Sequence, residues 1–284
     1  MAKSFTQQLN EVKAEIKALY EICVEILKVV KAGQNKAIQP PLKEEIEGID
    51  FIFNEPEKEN NLDFLNDTPN PDSVPMIKRQ RYLIILDAGH GGLNPITGEY
   101  VTAPSKMWKH KEFTFYEGVY NRLILGELTK LLDNAGYDYE VVSHEWKDNS
   151  LKSRTDRANE IFKKEPCLYF SIHGNAFPPR ESANGFEVFT SKGHTQSDLI
   201  ATQIGQNIMT LFPDEAFRMD TTDGDLDKED TLAVTRDTDC YSTLTEFGFF
   251  TNEEQAKKML TREWQFNCAL ALFNAIGWSQ YNLK

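Results

Sequence analysis

The sequence has no apolar run of membrane-spanning length, no excess of basic charge, no CxxC pair and no internal repeat. Each absence removes a class of function. Without about 20 consecutive apolar residues, no helix is expected to cross a bilayer. A formal net charge of −13 argues against a sequence-independent grip on DNA, RNA or an anionic membrane, which needs a basic face. The four cysteines, Cys23, Cys167, Cys240 and Cys268, are far apart. Neither a disulfide framework nor a thiolate zinc knuckle is expected from them, and buried thiols are. The opening residues MAKSFTQQLNEVKAE hold no apolar h-region, so no signal peptide is read there.

What is present divides into three segments. In residues 1–32, Leu9, Val12, Ile16, Leu19, Cys23, Ile26 and Val30 repeat at alternating spacings of three and four. This is an amphipathic helix with a coiled-coil-like seam, expected to form a homo-oligomer through residues 9–30; the competing reading lays the stripe on the main domain. Residues 33–76 are an acidic, Pro-rich linker. Six of the chain's twelve prolines lie between Pro40 and Pro75, and ten acidic residues but one lysine lie between Glu44 and Asp72. Residues 77–284 alternate strand-like and helix-like patterns, predicting an α/β domain with a mostly parallel twisted sheet flanked by helices. Expected strands are Tyr82–Asp87, Tyr139–Ser143, Leu168–His173, Phe186–Thr190 and Ser242–Phe247. Expected helices cover roughly Glu117–Ala135, Arg154–Lys164, Ser197–Phe212, Glu253–Leu260 and Trp264–Ile276.

Three of these strands end in polar groups that their apolar bodies do not explain: His90 in IILDAGHGG, His173 in SIHGNA and Glu246 in TLTEFGFF. Parallel strands present their carboxyl ends on one rim, where ligands bind. Gly91, Gly92 and Gly174 are expected to clear space beside the imidazoles. The natural occupant is a divalent metal, because zinc takes neutral imidazole and carboxylate ligands and keeps one position open for catalysis. Glu117, at the start of a helix, is the favoured third ligand, although spacing does not separate it from Glu99 and Glu112. Glu246 is then left as the general base. Glu187 is expected to orient an imidazole, and Arg154 and Asn175 are further candidates near ligands or substrate, Arg154 with a salt bridge as its competing role. His110 reads as a loop residue. The acidic run Asp220–Asp230 misses the glycine and glutamate of a calcium loop and reads as solvated.

The motifs LDAGHGG, EGVYNRLI, LKSRTDRAN, FSIHGNA, GFEVF and LTEFGFFTN occur in the order found in zinc-dependent N-acetylmuramoyl-L-alanine amidases of the amidase-3 type. The chain resembles these bacterial and phage cell-wall hydrolases from about Tyr82 to Gly277. The resemblance implies a zinc-amidase or zinc-peptidase-like fold and Zn2+ held by His90, Glu117 and His173, with Glu246 as the catalytic acid. It also implies peptidoglycan as substrate, cut between N-acetylmuramic acid and L-alanine. One departure is the segment Leu93–Tyr116, longer than in many relatives and rich in aromatic and basic residues, which reads as a lid or a substrate clamp. A lysin would remain cytoplasmic until released or travel with a virion. The alternatives are a zinc peptidase cutting within a stem peptide, or a structural, virion-type assembly protein.

Overall fold

The computed structural model describes residues 80–102, 106–222 and 224–283. The coiled-coil-like helix and the acidic linker lie outside the described residues.

The described chain forms β1 (Leu83–Ala88), β2 (Met107–Lys109), β3 (Thr114–Tyr116), α1 (Glu117–Ala135), β4 (Tyr139–Val141), α2 (Leu151–Phe162) and β5 (Cys167–Asn175). There follow β6 (Glu187–Thr190), α3 (Gln196–Leu211), β7 (Lys228–Glu229), α4 (Ala233–Arg236), β8 (Tyr241–Phe249), α5 (Glu253–Met259) and α6 (Arg262–Asn282). Six strands make one sheet in the order β4-β1-β5-β8-β6-β7. Strands β4, β1, β5 and β8 are parallel, and β6 pairs antiparallel with β8. The mostly parallel α/β architecture is therefore as expected.

The apolar runs of β1 and β5 follow from burial of both sheet faces. Ile84 and Leu86 of β1, with Leu168, Phe170 and Ile172 of β5, enter a large core shared with α1, α3, α5 and α6. The alternate residues Ile85 and Tyr169 enter a smaller core with Ala158 of α2 and Val234 of α4. The period of two thus feeds two cores rather than core and solvent.

Helix ends carry local signals. Ser150, Asn252 and Thr261 cap α2, α5 and α6, while Thr195 and Asp198 close a capping box on α3. Helix α1 is the exception: Tyr116 gives no side-chain cap, and the Gly118 N–H instead donates to the Tyr100 hydroxyl at 3.0 Å. Glu117 sits in its first turn, where a negative charge is favoured by the helix dipole.

Two expectations change. Cys167 and Cys240 are not thiols but a disulfide, joining residues 73 apart in sequence with Cα atoms 5.2 Å apart. Cys167 opens β5 and Cys240 immediately precedes β8, and these neighbouring strands bring the two sulfurs together. Cys268 is a buried free thiol as expected. The segment Leu93–Tyr116 contains a hairpin, β2–β3, that the sequence pattern did not announce, because three-residue strands carry too little periodicity.

Candidate functional site

The site forms at the carboxyl rim of the parallel strands. His90 lies two residues beyond β1, while His173 of β5 and Glu246 of β8 are register partners. Glu117 reaches them from the first turn of α1. Its Oε1 lies 3.1 Å from His90 Nε2 and 3.0 Å from His173 Nδ1. One ligand atom from each of His90, Glu117 and His173 falls within 4.8 Å of the others. The imidazoles meet edge to face, with centroids 4.9 Å apart.

Backbone geometry explains the glycines differently from expectation. His90 itself takes the left-handed conformation, with φ 62°, and Gly91, Gly92 and Gly174 do not. A Cβ on Gly89 would lie 2.1 Å from Cε1 of His173, and one on Gly91 would lie 1.9 Å from the Val101 carbonyl oxygen. The glycines of the first loop let backbone press against the second imidazole and against neighbouring chain; they do not clear a void.

A non-glycine residue at φ 62° needs holding. Arg122, on α1, supplies this. Its guanidinium donates to the carbonyls of His90 (2.8 Å), Gly118 (2.8 Å), His144 (2.6 Å) and Glu145 (2.6 Å). Asn121 adds a bond to the Gly89 carbonyl at 3.0 Å. Helix α1 therefore carries Glu117 and, one turn later, the clamp on the loop that carries His90. Arg122 was not among the expected site residues. Its partners are carbonyls, which leave no side-chain signature in sequence.

The electrostatics follow from burial. Burial pushes the Glu117 carboxyl upward, but its bonds to His173 and His90 outweigh that and hold it down at about 2. Burial lowers His90, and the Glu117 contact does not fully compensate. At His173 the same burial is overcome by Glu117, so its pKa rises. Glu246 has no such relief. Burial, with Glu117 nearby, pushes it up to about 8 against the pull of His173. Its Oε2 is buried without a hydrogen-bond partner. Two imidazole nitrogens, a charged carboxylate and unused buried lone pairs suit a divalent cation, which would supply the missing partner.

The other expected residues divide. Asn175 donates to Glu187 at 2.6 Å, and Glu187 also accepts from Arg218 at 2.7 Å and Lys228 at 2.6 Å. Glu187 orients no imidazole, contrary to expectation; its oxygens are occupied by Asn175 and two cations from downstream segments. Arg154 is 2% exposed and pairs with Asp87 at 3.4 Å and Asp148 at 3.1 Å. It is buried in these two ion pairs, as its salt-bridge reading expects. Asp87, fully buried at the end of β1, also accepts from Ser171 at 3.0 Å.

Within the long loop, His110 bonds the Phe250 carbonyl at 2.9 Å, and Phe115 stacks on the Phe250 ring. These are packing roles. Lys106 is different: its Nζ lies 3.8 Å from Glu117 Oε2, with the side chain 38% exposed. It brings a cation to the rim of the site. Glu99 bonds Thr97 and Glu112 is exposed, so neither joins the group.

A parallel-rim site with a His–Glu–His donor set and an unpartnered carboxylate oxygen has the groups that a hydrolase site needs. Comparison with known families narrows this. Residues 84–277 match the family described as N-acetylmuramoyl-L-alanine amidase, of the amidase-3 type, and the chain belongs to that family. A cell wall amidase of Bacillus anthracis, itself uncharacterized, is 26% identical over 224 residues. That match covers 71% of this chain but 36% of the relative, so the chain spans about a third of that protein's length. Among solved structures, an N-acetylmuramoyl-L-alanine amidase of Clostridium difficile 630 superposes with a TM-score of 0.59 at 23% identity, covering 72% of this chain and all of that one. AmiC2 of Nostoc punctiforme, also an N-acetylmuramoyl-L-alanine amidase, gives 0.56 at 21%, covering 69% and 95%. At these identities the structures speak for the shared fold.

Proposed function

We propose that this protein hydrolyses the amide between the lactyl group of N-acetylmuramic acid and L-alanine in peptidoglycan, using zinc. His90, Glu117 and His173 would hold the ion, and Glu246 would be the general base. The observation that carries this reading is the convergence of the three donor atoms beside the orphaned Oε2 of Glu246. Zinc in such a site supplies Lewis acidity to a carbonyl and acidifies water. The chain's own residues do the rest. Glu117 keeps both imidazoles aimed at one point. Glu246 takes a proton from the attacking water and delivers it to the departing amine of L-alanine. Arg122 holds the His90 loop in its left-handed turn. Lys106 offers positive charge at the rim, where the carboxylates of a stem peptide approach.

The cellular role is a lysin, released into or carried to the wall. Residues 9–30 would gather several catalytic heads and raise their effective concentration on a polymeric substrate. Sedimentation of the full chain against one starting near residue 77 tests this; equal monomer masses rule it out. The chemistry is tested by mass spectrometry of digested wall alongside zinc analysis. Intact stem peptides with a free L-alanine amine support the amidase. Shortened peptides would assign a peptidase instead.

A further inference from the structure

Among the described residues, the first site accounts for one of two places where buried carboxylate oxygens lack partners. The second lies at the opposite end of β6. There, ligand atoms of His194, Asp198 and Asp225 fall within 4.8 Å of one another. Asp227 lies against Asp225, behind the three converging atoms. It is 2% exposed, its Oδ2 accepts from Thr190 at 2.5 Å, and its Oδ1 has no hydrogen-bond partner. Oδ1 of Asp225 is likewise buried and unpartnered. Asp198 closes the capping box of α3 through Thr195, which uses some but not all of its lone pairs. No lysine or arginine neutralises the three aspartates among the described residues. Lys228, adjacent in sequence, is committed to Glu187.

Carboxylates left like this in a poorly solvated place repel one another and must gain a proton or a cation. Burial, assisted by the Asp225 and Asp198 charges, moves Asp227 up to about 7, the sign of an environment short of positive charge. A shared proton would satisfy one oxygen pair. It would leave the convergence of His194 and Asp198 on the same point without purpose. The geometry points to a second divalent-cation site formed by His194, Asp198 and Asp225 and backed by Asp227, separate from the His90–Glu117–His173 group. With carboxylates in the majority and one imidazole, it suits Mn2+ or Ca2+.

The loop residues involved are those whose linear spacing fails as a calcium loop; the site is assembled in space from α3's start and the 225–227 segment. Glu187 and Thr190 bracket β6, about 10 Å apart along the strand. A cation at one end would fix the segment that sends Lys228 to Glu187 at the other. Its role is to secure that segment, not to touch substrate.

The test uses the zinc-loaded full chain titrated with MnCl2 and, separately, CaCl2, following bound Mn2+ by EPR and the unfolding midpoint. The wild type should take one Mn2+ beyond its zinc. Its midpoint should rise by roughly 5–10 °C at a hundredfold excess over Kd. D225N and D227N should weaken binding at least tenfold while leaving wall hydrolysis unchanged. H194A, at an exposed position, should weaken Mn2+ more than Ca2+, and serves if the aspartate variants fail to fold. The response should persist in an E117Q background, which separates this site from the first one even if the zinc reading fails. Three outcomes overturn the proposal: no cation bound at millimolar concentration, equal binding by wild type and H194A, or a response abolished by E117Q.

Discussion

Glu187 and Glu246 lie directly opposite each other on antiparallel strands β6 and β8, yet the fold treats them in opposite ways. Glu187 receives two cations and an amide, and it is a satisfied structural acid. Glu246, one strand away, has a buried oxygen with no partner and a pKa pushed up by burial. Chemical type and sheet position are the same for both. What differs is whether neighbouring segments supply positive charge. A buried carboxylate oxygen that a protein leaves unpaired, beside another acid whose partners are all present, is where a reacting group is to be sought.

The largest effect that can break this contrast is at Glu246. E246Q should lower wall hydrolysis roughly 10²–10⁴-fold while zinc content stays near that of wild type. Near-normal hydrolysis would remove Glu246 from the chemistry. Next comes the clamp: R122A should weaken zinc binding roughly 10–100-fold, with R122K recovering only part because an ammonium cannot reach four carbonyls. Zinc affinity measured by chelator competition decides, and unchanged affinity would make Arg122 a fold residue alone. At Glu187, E187Q leaves Arg218 and Lys228 without their carboxylate and should cost about 1–3 kcal/mol of stability. Its turnover should stay within about tenfold of wild type, since it moves no proton. A collapse of turnover with normal stability would erase the distinction between the two glutamates.

The smallest effect concerns pH. A carboxyl raised from 4.5 to about 8 in the fold stabilises fully below its unfolded value, and that contribution is lost as pH climbs from about 4.5 to 8. Metal-stripped wild type should therefore lose stability over this window more steeply than metal-stripped E246Q. Denaturant midpoints at several pH values check it; parallel profiles would show that Glu246 is not poorly solvated.

Much of the site was legible because strand ends announce themselves. His90, His173 and Glu246 each break an apolar run that has no other reason to stop in a polar group, and Glu117 opens a long periodic helix. The expected strands and helices lie within a few residues of those observed, except that α6 continues to Asn282, beyond the expected end at Ile276. What escaped notice depends on distant chain. The partners of Glu187 come from residues 218 and 228, beyond a helix. Arg154 stayed open between a site role and a salt bridge because its buried partner, Asp87, is 67 residues away. The Cys167–Cys240 bond required the β5–β8 neighbourhood, which no spacing rule supplies. The N-terminal oligomer and linker remain expectations of the sequence alone.

Strand β3 ends at Tyr116 and α1 begins at Glu117, with no residue between them. The hairpin and the helix therefore share one hinge-free joint. A change of register in the hairpin would therefore pass directly to the first turn of α1 and the Glu117 carboxylate that it carries.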